Sequence, residues 1–148
     1  MFYGETNVSI DDKGRLAMPT VHREPLAAAC GGRMVVTYNP FETHCLLLFP
    51  VAEWERVRDE VMGLKSFQRA HRELQRKLVG AATHVDLDAQ GRLLLPLSAR
   101  QVVGLERKAV LLGMGTKFEL WNEAAQRELL QQPIDEAETT EEMRSLSF

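Results

Sequence analysis

The sequence predicts an α+β fold, mostly β with short helices, built by duplication about a pseudo-two-fold axis. Three observations carry that expectation. Residues 11–19, DDKGRLAMP, and residues 88–96, DAQGRLLLP, write the pattern Asp-x-x-Gly-Arg-Leu-x-x-Pro twice within 148 residues. At the offset of 77 that brings Asp11 onto Asp88, apolar positions align as well: Val8 with Val85, Ile10 with Leu87, Leu16 with Leu93 and Met18 with Leu95. These residues alternate on both sides of each turn, which is the period-two signature of half-buried strands.

Each copy therefore reads as strand, turn, strand, ended by Pro19 or Pro96, neither of which can donate to a sheet ladder. A short helical stretch follows, TVHREPLAAAC in the first half and LSARQVVGL in the second. Two apolar strands come next, MVVTY and CLLLF in the first half, AVLLG and KFELW in the second. Each closing strand leads into a helix. VAEWERVRDEVM sets Val51, Trp54, Val57 and Val61 near one face, with Pro50 to start it and Gly63 to end it. NEAAQRELLQQ opens on Asn122, an N-cap residue, and stops before Pro133. Between the halves, SFQRAHRELQRKL extends the first helical part.

A unit of about 50 residues with four short strands buries little by itself. Two copies are expected to pair, each completing the other's sheet, with the two Asp-x-x-Gly-Arg turns pointing the same way. The division is a first repeat over 1–54, a connecting helical region over 55–80 and a second repeat over 81–124. A helix end and acidic tail over 125–148, rich in Glu and Thr and poor in aromatics, is expected to be mobile.

With 45% apolar and 26% charged residues, the chain can bury a real core. Two cysteines, Cys30 and Cys45, are too few for a disulfide framework, and no charged-then-apolar leader precedes them, so a cytoplasmic location is the expectation. The longest apolar run, CLLLFPVA, is broken by Pro50 and falls far short of the roughly 20 residues that span a bilayer. The net charge of −3 is unevenly spread: from Ile134 to Phe148, five acids face only Arg144, which leaves the rest of the chain at +1. Lys65, Arg69, Arg72, Arg76 and Lys77 against Glu73 make a basic stretch. It reads either as a nucleic-acid face or as a contact between subunits.

In the paired turns, Gly14 and Gly91 permit backbone angles other residues resist, and Asp11 and Asp88 can accept from backbone amides ahead of them. Those four residues shape the loops. A turn needs no arginine. A guanidinium held at a fixed loop suits phosphate oxygens or a guanine edge, and it equally suits a nearby acid. Sequence alone leaves Arg15 and Arg92 open between the two.

Several motifs in order resemble the MraZ family of bacterial transcriptional regulators: the MFYG start, SIDDKGRLAMP, HREPL, HCLLLFPVAEWERV, QRKLVGAATHVDLDAQGRLLLP and VLLGMGTKFELWNEA. The resemblance covers nearly the whole chain. It implies two SpoVT-AbrB-type units forming a duplicated swapped-hairpin β-barrel. It also implies a ring-like homo-oligomer, of eight or more subunits, that binds direct repeats in double-stranded promoter DNA upstream of its own cell-division and cell-wall operon. Such a protein is nucleoid-associated, takes no cofactor, metal, membrane or small-molecule substrate, and is not an enzyme. The family's Asp-x-x-x-Arg motif falls on Asp11 with Arg15 and on Asp88 with Arg92. Arg15, Lys13 and Arg92 are then the first DNA-binding candidates, with Arg23 and Arg100 as helpers. The chain departs from the family pattern in two places: Ala89 and Gln90 stand where the first turn has Asp12 and Lys13, and a tryptophan expected in the helix after WNEAAQRELL is missing.

Other chemistries fit less well. Paired Asp-containing turns suggest an aspartic dyad, yet the residues after Asp11 and Asp88 are Asp12-Lys13 and Ala89-Gln90, not the hydroxyl-and-glycine pair of that loop. DLDAQGRLLLPL starts like a calcium loop at Asp86 but ends on Leu97 where a bidentate Glu is required. His22, His44, His71, His84 and the cysteines lack close zinc-ligand spacing. The alternative role is an AbrB-like antitoxin or interaction scaffold whose acidic tail holds a partner.

Overall fold

A computed structural model describes all residues, 1–148, as a mixed α+β chain with a mostly antiparallel sheet and short helices. In chain order the elements are β1 (Phe2–Ser9), β2 (Arg15–Ala17), α1 (Thr20–Cys30), β3 (Met34–Tyr38), β4 (Cys45–Pro50), α2 (Val51–Met62) and α3 (Arg69–Leu74). They continue with β5 (Thr83–His84), β6 (Arg92–Leu94), α4 (Leu97–Val103), β7 (Lys108–Gly115), β8 (Phe118–Asn122), α5 (Glu123–Gln131) and α6 (Glu141–Arg144).

Six strands form one open sheet in the order β1-β7-β8-β4-β3-β5, and β2 pairs with β6 as a separate ribbon. Hydrogen bonding leaves β1 and β5 as edges, so the ladder does not run round into a closed barrel. The halves interleave: β1 of the first half pairs with β7 of the second, and β5 of the second with β3 of the first. In the ribbon Leu16 faces Leu93, each being the other's equivalent at the 77-residue offset. That pairing puts a local two-fold relation through the ribbon's centre.

Alternation along β3 and β4 sorts the core into two layers. Val36, Leu46 and Leu48 join Leu16, Met18, Leu93 and Leu95 on the ribbon side. Val35, Leu47 and Phe49 point to the other side, where Trp54, Val61 and Leu78 cover them. The sheet therefore lies between the paired turns and helices α2 and α3.

The helices follow their sequence signals closely. Asn122 caps α5 by accepting from the Ala125 amide at 3.0 Å, and Gly104 ends α4 in a left-handed conformation at φ 73°. Residues 66–78 do not simply prolong α2. The chain breaks after Gly63, restarts as α3, and runs on into a π-helical turn over Gln75–Gly80. Gln75 bridges the break by donating to the carbonyls of Val61 and Leu64 at 3.2 and 3.1 Å. On α5 the buried Gln126 donates to Glu5 of β1 at 2.8 Å, tying the last long helix to the first strand. No helix is long and apolar enough to cross a membrane.

Candidate nucleic-acid interface

Both turns are built alike, atom for atom. The Asp11 side chain accepts from the amides of Lys13 and Arg15 at 3.0 and 2.8 Å and from Arg15 Nε at 2.8 Å. Asp88 accepts from the amides of Gln90 and Arg92, each at 2.9 Å, and from Arg92 Nε at 3.2 Å. In each loop the Arg amide, first among these donors, holds the carboxyl below its ordinary value, against the opposing effect of burial, which ranks second. The ionised carboxylates thus favour the folded loops at neutral pH, and that preference is lost as pH falls through their lowered range.

The sequence left each arginine between pairing with an acid and meeting a ligand; the geometry supports both. Nε of Arg15 is committed to Asp11, while its terminal nitrogens bond nothing within the chain. The pairing fixes where the guanidinium points. Leu16 and Leu93 enter the core, so Arg15, Ala17, Arg92 and Leu94 share the outward face of the ribbon. Arg15 sits opposite Leu94 and Ala17 opposite Arg92, which makes the two arginines diagonal neighbours about 7–8 Å apart at Cα. Leu94, 57% exposed, lies beside them as an apolar patch.

Arg23 and Arg100 do something sequence reasoning did not foresee. Each reaches from its own repeat onto the glycine of the other repeat's turn. A Cβ built on Gly14 would lie 2.7 Å from the Arg100 guanidinium, and one on Gly91 2.6 Å from Arg23 Nε. Arg23 Nε also donates to the Met18 carbonyl at 2.7 Å, and Arg100 Nε to that of Leu95 at 3.4 Å. Both are part-buried clamps that hold the turns together across the repeat boundary.

The turns differ in their surroundings. Lys13 of the first is exposed, whereas Gln90 of the second accepts from Arg92 at 3.5 Å. Arg107 joins the first turn: its carbonyl receives the Ile10 amide at 2.8 Å, and its guanidinium meets Asp12 at 3.3 Å with both side chains more than four-fifths exposed. The equivalent acceptor in the second turn is the carbonyl of Gly32, bonded by Leu87 at 2.8 Å. The first turn therefore carries Lys13, Arg15 and Arg107, and the second Arg92. Aligning GGRMVV with ERKAVL would have shown an arginine where the first half has glycine, but the register change between repeats hides it.

The geometry gives no support to the other chemistries. Asp11 and Asp88 are each saturated by their own loop, and both carboxyls are lowered, whereas a proton-sharing pair needs one raised. Asp86 spends an oxygen on the Met34 amide at 3.2 Å. No group of three His, Cys, Asp or Glu side chains comes together in a way that could hold a metal ion. The Cys45 thiol is pushed up to about 12, first by burial and then by the charge of Glu119, which leaves it inert at neutral pH.

What the fold and the paired loops define is a duplicated α+β chain presenting two aspartate-anchored arginines on one ribbon. Its sequence matches the family described as "MraZ protein, putative antitoxin-like" twice, over residues 1–77 and 78–148. The chain belongs to the MraZ family. It is 53% identical over 146 residues to the transcriptional regulator MraZ of Xanthomonas campestris pv. campestris, covering 99% of both chains. It is 56% identical to that of Stenotrophomonas maltophilia over 136 residues, 92% of each, and 42% identical to that of Marinobacter nauticus over 99% of this chain and 98% of that one. A solution structure of PHS018 from Pyrococcus horikoshii aligns with 82% of this chain and 89% of its own at 13% identity, with a TM-score of 0.34 too low to carry an argument.

Proposed function

We propose that this protein, whose relatives are named transcriptional regulators, is itself one and binds double-stranded promoter DNA through the outward face of the β2–β6 ribbon. The observation that carries the reading is the pair of Arg15 and Arg92, each oriented by its own aspartate and set diagonally on one ribbon. Orienting the side chains before binding lowers the entropy lost on contact. Both Nη groups of Arg15, and the one Nη of Arg92 that does not donate to Gln90, fit phosphate or the O6 and N7 edge of guanine. Beside the first turn Arg107 offsets Asp12 and Lys13 adds a further positive charge, which makes this turn the stronger contact. The interleaved strands are read as the swapped-hairpin arrangement of SpoVT-AbrB-type units, and the Leu16–Leu93 register supports that reading.

One subunit offers few cations, so binding is weak, roughly 10⁻⁴ to 10⁻⁶ M for non-specific contacts near physiological salt. A ring of subunits on direct repeats, acting on the operon that contains its own gene, multiplies the contact through effective concentration, by about 10² to 10⁴. Cyclic neighbours suit direct repeats as two-fold dimers suit palindromes. The protein works in the cytoplasm at the nucleoid. The test is a salt titration of binding to the DNA upstream of the gene, beside a scrambled duplex. Steep, sequence-selective binding lost in Arg15→Ala and Arg92→Ala supports the reading; equal binding to both duplexes ends it.

A further inference from the structure

We propose that the basic surface of α3 is a docking site for the acidic C-terminal segment, residues 134–148, of a second copy of this chain. The two-layered sheet separates this surface from the arginine turns. The ribbon packs on one face of β3 and β4, and α3 with its π turn sits over the other, through Leu78. The surface is firmly mounted, because Thr37 Oγ1 donates to the Leu78 carbonyl at 2.6 Å and Gln75 ties the turn to the end of α2. A duplex lying along the ribbon would have the sheet between it and α3, which favours a protein contact here.

Charge names the occupant. On the neighbouring α2, Arg56 and Arg58 are neutralised by Glu53, Glu60 and Asp59. Lys65, Arg72, Arg76 and Lys77 have no carboxylate within 4.0 Å, and the largely exposed Arg69 has only Glu73, at 3.3 Å. Phe67, 71% exposed with Lys65 above its ring at 5.9 Å, offers an apolar foothold among these cations. The tail is the complement. Asp135, Glu136, Glu138, Glu141 and Glu142 make no ion pair anywhere in the chain, and the tail's side-chain hydrogen bonds stay within the tail. Ile134 and Leu146 are 69% and 64% exposed, apolar residues at either end of the acids. In its own chain the tail makes no hydrogen bond or ion pair with residues 65–78, which leaves both surfaces open to a second copy.

Zero-length carbodiimide coupling of ¹⁴N- and ¹⁵N-labelled full-length protein, mixed in equal amounts in denaturant and refolded together so that any oligomer holds both, tests this, since it joins only carboxylates and lysines already in contact. Mixed-isotope peptides linking 134–148 to Lys65 or Lys77 are expected. They should be reduced at least tenfold in E136K/E141K/E142K and in R69E/R76E, and should return when those two variants are mixed. Links of one isotope only would place the tail on its own body, and links from the tail to other lysines would name a different site; either overturns the proposal. If R69E/R76E keeps the cross-links but loses promoter affinity, the surface serves nucleic acid and the proposal also fails. The cross-linking itself is done without DNA, so its outcome is separate from that of the DNA-binding reading.

Discussion

Gly14 shows how tightly a single residue is specified here. Its φ of +87° lies where L side chains are strained, and the space a Cβ would fill is already taken by Arg100. Gly14→Ala should lower stability by about 1–3 kcal/mol, read as a fall in melting temperature of about 2–4 °C per kcal/mol. The same change at Gly31, whose added Cβ meets nothing, should cost only the backbone strain. His22 makes a second prediction. It is buried between Phe2 and Phe118, with ring centroids at 5.8 and 4.9 Å, and burial lowers its pKa from the ordinary 6.5. The unfolded chain therefore takes up the proton first as pH falls, so stability should drop through the ordinary histidine range and level off once the folded ring protonates. Thermal melts between pH 7.5 and 5.5 should show that slope, and His22→Phe should flatten it; an unchanged slope would assign the effect elsewhere. Gly14's loop-shaping role was legible in the sequence, whereas the burial of His22 between two aromatic rings was not. A glycine in a turn was expected, but the arginine above it comes from the other repeat.

At the scale of elements, β1 depends on its partner. It is an edge strand of eight residues whose backbone ladder is with β7 alone, and the backbone of Phe2 and Tyr3 passes directly against Gly113. Gly113→Ala forces the two backbones apart. Amide hydrogen exchange across Phe2–Val8 should rise strongly in that variant while α2 stays protected through its own contacts with β3 and β4. Loss of protection spread evenly over the chain would mean that the strand is not an independent unit. Truncating Leu16 or Leu93, facing residues with almost no exposure, should cost about 2–5 kcal/mol each. The double variant should cost less than the sum, because the two share one cavity. Strand and helix positions were largely legible, since periodicity and the Pro and Gly punctuation act locally. The π turn at the end of α3 was not. It exists because Leu78 must reach the pocket over Val35, Leu47 and Phe49, a demand set by the sheet below it.

For the whole molecule, the proposed DNA binding predicts that two turns on a nearly symmetric frame contribute unequally. In anisotropy titrations against promoter DNA, Arg15→Ala should weaken binding more than Arg92→Ala, and Arg107→Ala should lower the salt slope by about 1 while leaving the fold unchanged. Equal effects of the two turn variants would make the surroundings of the first turn irrelevant. Arg23→Ala and Arg100→Ala should behave differently again. Each removes a clamp on the opposite turn, so each should loosen the ribbon and cost stability as well as affinity.

The sequence by itself determined that the chain is duplicated, that each copy carries an aspartate-shaped turn with an arginine, and that alternating apolar residues bury the flanking strands. Those properties depend on residues a few places apart, and local stereochemistry is written in local order. Only the tertiary structure decided that the halves interleave, that Arg15 and Arg92 share one face, and that Arg107 stands beside the first turn. It also decided that Arg23 and Arg100 hold the turns from across the repeat boundary, and that α3 lies behind the sheet. Each of these joins residues about half the chain apart, and such contacts form only when the whole core closes around Leu16 and Leu93.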